Sequence, residues 1–542
     1  MKLKKLFAIC LAGVLTLSTV GCGSDKKPSG DTSDSTTSSD LASVESLTLL
    51  YRADDPLNPY TAKSFLNRRL ANLMYDPLVK VDPDFQPEFI LAKDIEISNK
   101  QCVITLKSAV FSDGSPVTAD DVVYSLKLAL NSELAFKNQL ACVKSYKTDR
   151  DKVVITLTKT DPYFANVLDF PIIKKDSDNL KDENKILLPP IGSGRYIFNT
   201  KEKLLNANTM CVSGVPSVKT IKLIDAPDDT VVKYNLEVGN VSAYYSDLSD
   251  GVIPPMSGSS APVNLTHLVY LGLNLENKHL TQPKVRYALS YAVDRLAVCN
   301  EAYYAYATPA TGVFNVAWDD AGTLQNLPKS KELQNVVAIL EEIGYNNKDN
   351  EGFIVDEKGK NITFKLIAYK GNDRRLKAAQ LIKEQLEAIG FKINLKELEW
   401  NDYTKALSEG SFDIYIAETK LSNNMDVTEL LTANGSLSYG IPTVEQPKTD
   451  NKAPDNSTDK EADKSETTKE PEFTSHIPLL EEAIKGFYGE QLSLVDIINA
   501  FNAEMPIIPL CHRQGISVCD SKLNADKMSS ISDVYFGITD KT

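Results

Sequence analysis

Histidines, cysteines and paired carboxylates are the side chains that most often carry chemistry, and in this chain of 542 residues their spacing builds no catalytic centre. The four histidines are His267, His279, His476 and His512, too few for a multi-histidine metal centre. The eight cysteines include no CxxC pair and are too sparse for a disulfide scaffold. Cys511, His512 and Cys519 lie near one another, but neighbours on an extended strand point to opposite faces, which argues against a metal cluster. Cys102 and Cys142 fall on separate predicted strands, and sequence alone leaves their pairing open. The run GSLSYG at 435–440 lacks the central serine of a GxSxG elbow, and PIGSGR at 190–195 reads as a glycine turn. P-loop, HExxH and GxGxxG patterns are absent. Carboxylates are so plentiful that no two single themselves out as a glycosidase pair. The reading is therefore no catalytic residue, no metal site and no cofactor.

Charge and composition exclude more. With 59 Lys and Arg against 73 Asp and Glu, the net charge of −14 would repel a phosphate backbone, so nucleic-acid binding is not expected. The 42% of apolar residues can fill the cores of two to four domains of ~100–200 residues each. Lys2, Lys4 and Lys5 precede an apolar run at 6–17, the pattern of a secretory leader, which is shorter than the ~20 residues of a membrane-spanning helix. Gly21-Cys22 resembles a bacterial lipobox, although Thr19 replaces its usual leucine. Residues 1–21 then read as a cleaved signal, Cys22 as the lipidated residue, and the Ser/Thr/Asp-rich stretch 22–43 as a tether to the cell membrane.

The elements that follow alternate between the two periods. Leu47, Leu49 and Tyr51 predict a strand, and a helix runs on to about Tyr75. Thr118 with Asp121 three residues later predicts a helix start, and Val122, Val123, Leu126 and Leu130 its buried stripe. Between 361 and 418 the pattern is βαβαβ. Ile362, Phe364, Leu366 and Ala368 alternate; Leu376, Ala379, Ile382, Leu386 and Ile389 repeat at helical spacing to Gly390; Phe391, Ile393 and Leu395 alternate again; a short helix at 402–408 and a buried strand at 412–417 complete the unit. Crossovers of this kind demand a parallel sheet, whose ligands gather beyond the carboxyl ends of the strands, here residues 418–424. Asp413 reads as a strand-end hydrogen-bonding group and Trp400 as a packing residue. Residues 445–472 hold no Val, Ile, Leu, Phe, Tyr or Trp and read as a disordered acidic insertion.

In FSDGSPVTADDVVYSLKLAL, PPIGSGRYIF, YLGLNLENKHLTQPKVRYALSYAVDRLAV, AAQLIKEQLEAIGFKINLKELEWNDYTKALSEGSFDIYIAE and MPIIPLCHRQGISV the chain resembles the extracytoplasmic solute-binding proteins of ABC importers, of the large peptide/nickel-binding type. The resemblance implies an α/β, two-lobed periplasmic-binding-protein-like fold (type II, three-subdomain variant) with two hinge strands. Lobe I would be 44–261, completed by 509–542, and lobe II 262–508, with hinges near 267–271 and 508–512. It also implies a monomer that captures a peptide or other small solute and presents it to permease subunits; a surface sensor using the same fold without transport is the alternative.

The same resemblance places ligand contacts at 62–66, with Lys63 and Phe65 informative, at Tyr245, at Tyr270 beside the hinge, and at Glu418, Thr419, Ser422 and Asn424 on the crest. Each of the lobe I residues and tyrosines has an alternative as core, solvated surface or sheet packing. Peptide-binding members carry a tryptophan and, three residues on, an aspartate that pairs with the peptide amine; those places fall on Thr419 and Ser422, which cannot do that work. Amine recognition by Glu418 or Asp426 and a ligand without an essential free amine both remain open.

Overall fold

The first alternating run forms β1 (Ser46–Tyr51) in the computed structural model, which describes residues 46–442 and 475–539 except 133, 135, 434, 524, 526–528 and 536. The leader, Cys22, the tether 22–43 and the insertion 445–472 lie outside the described residues. β1 buries Leu47, Leu49 and Tyr51 as the alternation predicts, and pairs in parallel with Thr220–Asp225 in a four-stranded sheet. Helix α1 (Phe65–Met74) follows, its first turn capped by Ser64 Oγ accepting from Asn67 N at 3.1 Å. A second sheet is the antiparallel set Ala92–Ser98, Gln101–Leu106, Lys152–Leu157 and Val143–Asp149.

Helix α2 (Ala119–Asn131) packs on that sheet with Val122 and Leu126 fully buried, whereas Val123 and Leu130 are only partly buried. The predicted box closes at its start: Thr118 N and Oγ1 donate to Asp121 Oδ2 at 2.9 and 2.6 Å. Asp121 Oδ1 also accepts from Lys175 N at 2.8 Å, so this one carboxylate joins the helix start to a distant loop. These elements share one apolar core of lobe I, built from Leu49, Leu70, Ile104, Leu126, Phe164 and Ile221 among others.

The third sheet has seven strands and belongs to both halves of the molecule. It contains β2 (Ala243–Ser246), β3 (Ser259–Leu273), β4 (Thr363–Tyr369), β5 (Lys392–Leu398), β6 (Ile414–Lys420) and β7 (Ile507–Cys519), in the order β2-β7-β3-β6-β4-β5, with the short strand Ala307–Pro309 also paired to β7. The βαβαβ unit is β4, α3 (Asp373–Ala388), β5, α4 (Trp400–Ser408) and β6, with β4 central and parallel to both partners. Asn372 Oδ1 caps α3 by accepting from Arg375 N at 2.9 Å, and Gly390, at φ +107°, makes the left-handed turn into β5. Asp413 holds the base of the unit, accepting from Asn277 Nδ2 at 2.8 Å and Lys365 N at 2.7 Å.

β3 and β7 are long, 15 and 13 residues, and run antiparallel through both lobes. Their register holds from Ser259↔Cys519 to Asn264↔Gln514, slips, and resumes at Leu268↔His512. Residues 265–267 therefore bulge opposite Arg513. On one side of the bulge Ala261, Val263, Leu265 and Cys519 enter the lobe I core; on the other, Leu268, Leu271, Ile508 and Cys511 enter a second core with Leu366, Ile382 and Ile414. Among the described residues no disulfide joins the six cysteines; all are buried except Cys142, which is half-buried.

Replacing Asp121 by alanine strips Thr118 N and Lys175 N of their acceptor. It should cost ~2 kcal/mol, read as a shift of the urea midpoint with the slope unchanged.

Candidate ligand-binding cleft

The bulge between the lobes holds a partly buried polar cluster of His267, Glu418 and Arg513. Glu418, on β6, accepts from His267 Nδ1 at 2.7 Å and from Arg513 Nη1 at 2.5 Å, both at Oε1. Arg513 also donates through Nη2 to the carbonyl of Asp247, just past β2 in lobe I. Burial alone would raise the Glu418 pKa, but the hydrogen bond from His267 and the charge of Arg513 outweigh it and pull it down to about 2. The carboxylate is thus ionised and its Oε1 is committed to the strand crossing.

Beyond the carboxyl end of β6 the chain meets lobe I directly. Asn423 Nδ2 donates to Asp169 Oδ2 at 2.8 Å, and Asn424 Nδ2 to Asp161 Oδ2 at 2.6 Å. Lys159 Nζ lies 2.6 Å from Asp426 Oδ2 and 2.9 Å from Thr428 Oγ1, with its ammonium 3.5 Å from the Tyr488 ring centre. Tyr163 completes the seam, its ring 4.7 Å edge-on from Trp318 and 6.3 Å stacked from Phe487. Burial pushes the Asp161 pKa up to about 6 against the hydrogen bonds from Asn424 and Tyr163 N. Burial would also raise Asp426, but Lys159 reverses the direction. A further bond between the lobes joins Arg374 Nη2, at the start of α3, to the carbonyl of Gly251 at 3.2 Å.

The residues named from sequence are distributed over this region unevenly. Phe65 stacks on Tyr245 with centroids 6.0 Å apart and planes 12° apart, and Arg69, one turn along α1, lies 4.5 Å over the first ring and 4.8 Å over the second. Lys63 is exposed, and its backbone N–H donates to Asp55. Tyr270 is 2% exposed and packs edge-on to Tyr415 within the lobe II core. Thr419 is buried opposite Leu268, Ser422 is half-buried with its carbonyl accepting from Met425 N, and Asn424 belongs to the seam. Trp400 is half exposed and lies 5.2 Å from the Tyr369 ring. A groove of about 1060 Å³ lined by Asp178, Lys181, Phe198 and Lys203 lies wholly on lobe I and touches none of these residues.

Several contributors escaped the sequence reading. Arg69 had a signal, since i and i+4 on a helix share a face. Lys159, Asp161 and Asp169 had none, because their partners lie more than 250 residues away in the chain.

Residues 84–438 match the model of the bacterial extracellular solute-binding proteins, family 5 (middle region). The chain belongs to that family. It is 26% identical over 371 residues to the oligopeptide-binding protein AppA of Bacillus subtilis (strain 168), covering 64% of this chain and 67% of the relative. It is likewise 26% identical over 363 residues to the glutathione-binding protein GsiB of Salmonella typhi, covering 63% and 67%. Among solved structures, a nickel ABC transporter protein from Bacillus halodurans superposes with a TM-score of 0.69 at 18% identity, covering 91% of this chain and 98% of that one. The periplasmic murein tripeptide-binding protein MppA, in its open form, gives 0.67 at 17% identity over 91% and 97%. These likenesses fix the fold as the two-lobed one of the family's binding proteins.

Substituting glutamine for Glu418 leaves Arg513 buried without its counter-charge and should lower stability by ~3 kcal/mol at neutral pH, measured by urea unfolding. Because the folded pKa lies below the unfolded one, the Glu418 contribution is fully present above 4.5 and is lost as the pH falls through about 2. Asp161 has the opposite sign: its folded pKa is raised, so its contribution is greatest below 3.8 and is lost as the pH rises through about 6. The Asp161→Asn variant should flatten the melting-temperature profile between those two values, and an unchanged profile would remove the carboxyl from the account.

Proposed function

We propose that the chain is the lipid-anchored, extracytoplasmic receptor of an ABC importer, which captures a peptide between its lobes as a monomer and delivers it to the permease. The observation that carries this reading is the pair of strands β3 and β7, which lose register where β3 bulges at 265–267 opposite Arg513, while lobe I and lobe II meet on either side of them. A joint of that kind permits rotation of one lobe on the other, and a guest touching both adds contacts that exist only when they close. A shift from mostly open to mostly closed needs ~5 kcal/mol of differential binding, within reach of a few buried hydrogen bonds and apolar contacts. The work is physical, and no reaction is assigned to the cleft.

Peptide is the favoured cargo because AppA, GsiB and MppA are named for oligopeptide, glutathione and murein tripeptide. The anchor rests on Gly21-Cys22 and the apolar run before it. No described helix is long and apolar enough to cross a membrane.

Native mass spectrometry of protein purified without denaturation should reveal a peptide-sized adduct released on unfolding. Absence of any adduct, together with no calorimetric heat on adding a short-peptide mixture, would overturn the cargo assignment. Labelling cells with a palmitate analogue should mark the wild type and not Cys22→Ala, and equal labelling of the two would refute the anchor.

A further inference from the structure

We infer that the seam between the lobes is a proton clasp: Asp161 of lobe I takes up a proton when it meets Asn424 of lobe II, so that acid holds the lobes together. This rests on the closing motion proposed above and names a condition that governs it.

The clasp begins with a carboxyl that the fold leaves without a cation of its own. Asp161 follows the strand Lys152–Leu157 and is 1% exposed; Asn424, in the loop beyond β6, is 5% exposed. Asp161 Oδ2 accepts from Asn424 Nδ2 at 2.6 Å, and Oδ1 from Tyr163 N at 3.0 Å. The ammonium of Lys159, two residues back, is bound instead to Asp426 and Thr428. The titratable groups that face Asp161 are Lys159, Tyr163 and Cys142 from lobe I and Asp426 and Tyr488 from lobe II. Burial and the negative charge of Asp426 favour the neutral carboxyl, and the charge of Lys159 opposes them only weakly.

Asn424 supplies the second observation. Its Oδ1 is buried and receives no hydrogen bond. An ionised carboxylate can only accept, so while Asp161 carries its charge that oxygen stays unmatched within the seam. A neutral carboxyl carries an O–H, the donor that the Asn424 oxygen lacks, and a carboxylic acid and a carboxamide match each other through one N–H and one O–H. One proton therefore removes a buried charge and satisfies a buried acceptor, and both gains vanish when the lobes part and water reaches the two groups.

With the lobes together Asp161 titrates at about 6, and in water its ordinary value is 3.8. The closed form thus binds the extra proton between those values; its stabilisation by acid is full below 3.8 and is lost as the pH rises through about 6. From about pH 7 to about pH 5 the ratio of closed to open should rise roughly tenfold. Tyr163, Tyr488 and Cys142 are pushed upward by burial and stay neutral throughout that window, while Asp426 and Glu418 are shifted the other way and stay ionised. Asp169, which meets Asn423 in the same seam, is also raised by burial, but Gln139, Asn423 and Ser532 all donate to it. A receptor on the outer side of a membrane meets the pH of the medium directly, and this clasp would tighten its grip on cargo in acid.

The test is backbone hydrogen exchange of the full chain at about pH 5 and about pH 7, corrected for the intrinsic rate at each pH, with and without a short-peptide mixture. The amides that report are those of the two meeting loops, Asn166 on lobe I and Met425 and Thr428 on lobe II. Their protection without peptide should be roughly tenfold greater at the lower pH, and Asp161→Asn should erase the difference. Asp161→Ser, neutral and still able to accept from Tyr163 N, should do the same and carries the test if Asp161→Asn fails to fold. Equal corrected protection at the two pH values, with peptide still adding protection, would overturn the clasp and leave the closing receptor standing. An acid effect that survives in both variants would overturn the assignment to Asp161. An acid effect lost in the variants, with peptide adding no protection at either pH, would keep the clasp and overturn the peptide reading.

Discussion

Glu418 meets His267 and Arg513 at the point where the two shared strands lose register, and the rest of the molecule is organised around that meeting. A bulge of three residues opposite one would be a weak seam in any sheet, with backbone groups unpaired and local twist increased. The carboxylate closes the seam by tying β6 to β3 and β7 at one oxygen, and Arg513 extends the tie to the Asp247 carbonyl in lobe I. A largely enclosed carboxylate is tolerated there because His267, half-buried, and Arg513, buried, both donate to it. At 265–267 the backbone leaves the ladder with β7 only: His267 stays paired with Lys420 on β6, and the Thr266 carbonyl accepts from Leu421 N.

From that joint the two faces approach through polar contacts of modest strength. Asn423, Asn424 and Asp426 meet Asp169, Asp161 and Lys159, and Tyr163 slots against Trp318. Hydrogen bonds of this sort each add little net free energy, because water competes for the same groups when the faces part. Such a seam can open without unfolding either core, which a continuous apolar interface could not do.

Much of this was legible in the sequence wherever the signal is local. The βαβαβ unit follows from alternation at Phe364 and Leu366 and helical spacing at Ala379, Ile382 and Leu386, because those periods are set by the geometry of strand and helix themselves. Thr118 and Asp121 announced their box for the same reason. The partners of Glu418 did not announce themselves: His267 and Arg513 are 151 and 95 residues away, and only strand pairing brings them together. On the sequence Glu418 stood as a crest residue open to amine recognition; in the fold its Oε1 is bound by His267 and Arg513. Asp161 and Lys159 were invisible for a related reason, since their meaning depends on a surface contributed by the other lobe.

The most direct test of the central claim, that two lobes turn about this joint and close on a guest, is small-angle X-ray scattering of the same protein with and without a saturating short-peptide mixture. The account predicts a smaller radius of gyration and a shorter maximum dimension with peptide, and a reduced change when Arg513 is replaced by methionine. Superimposable curves at saturation, with binding verified in the same sample, would contradict it.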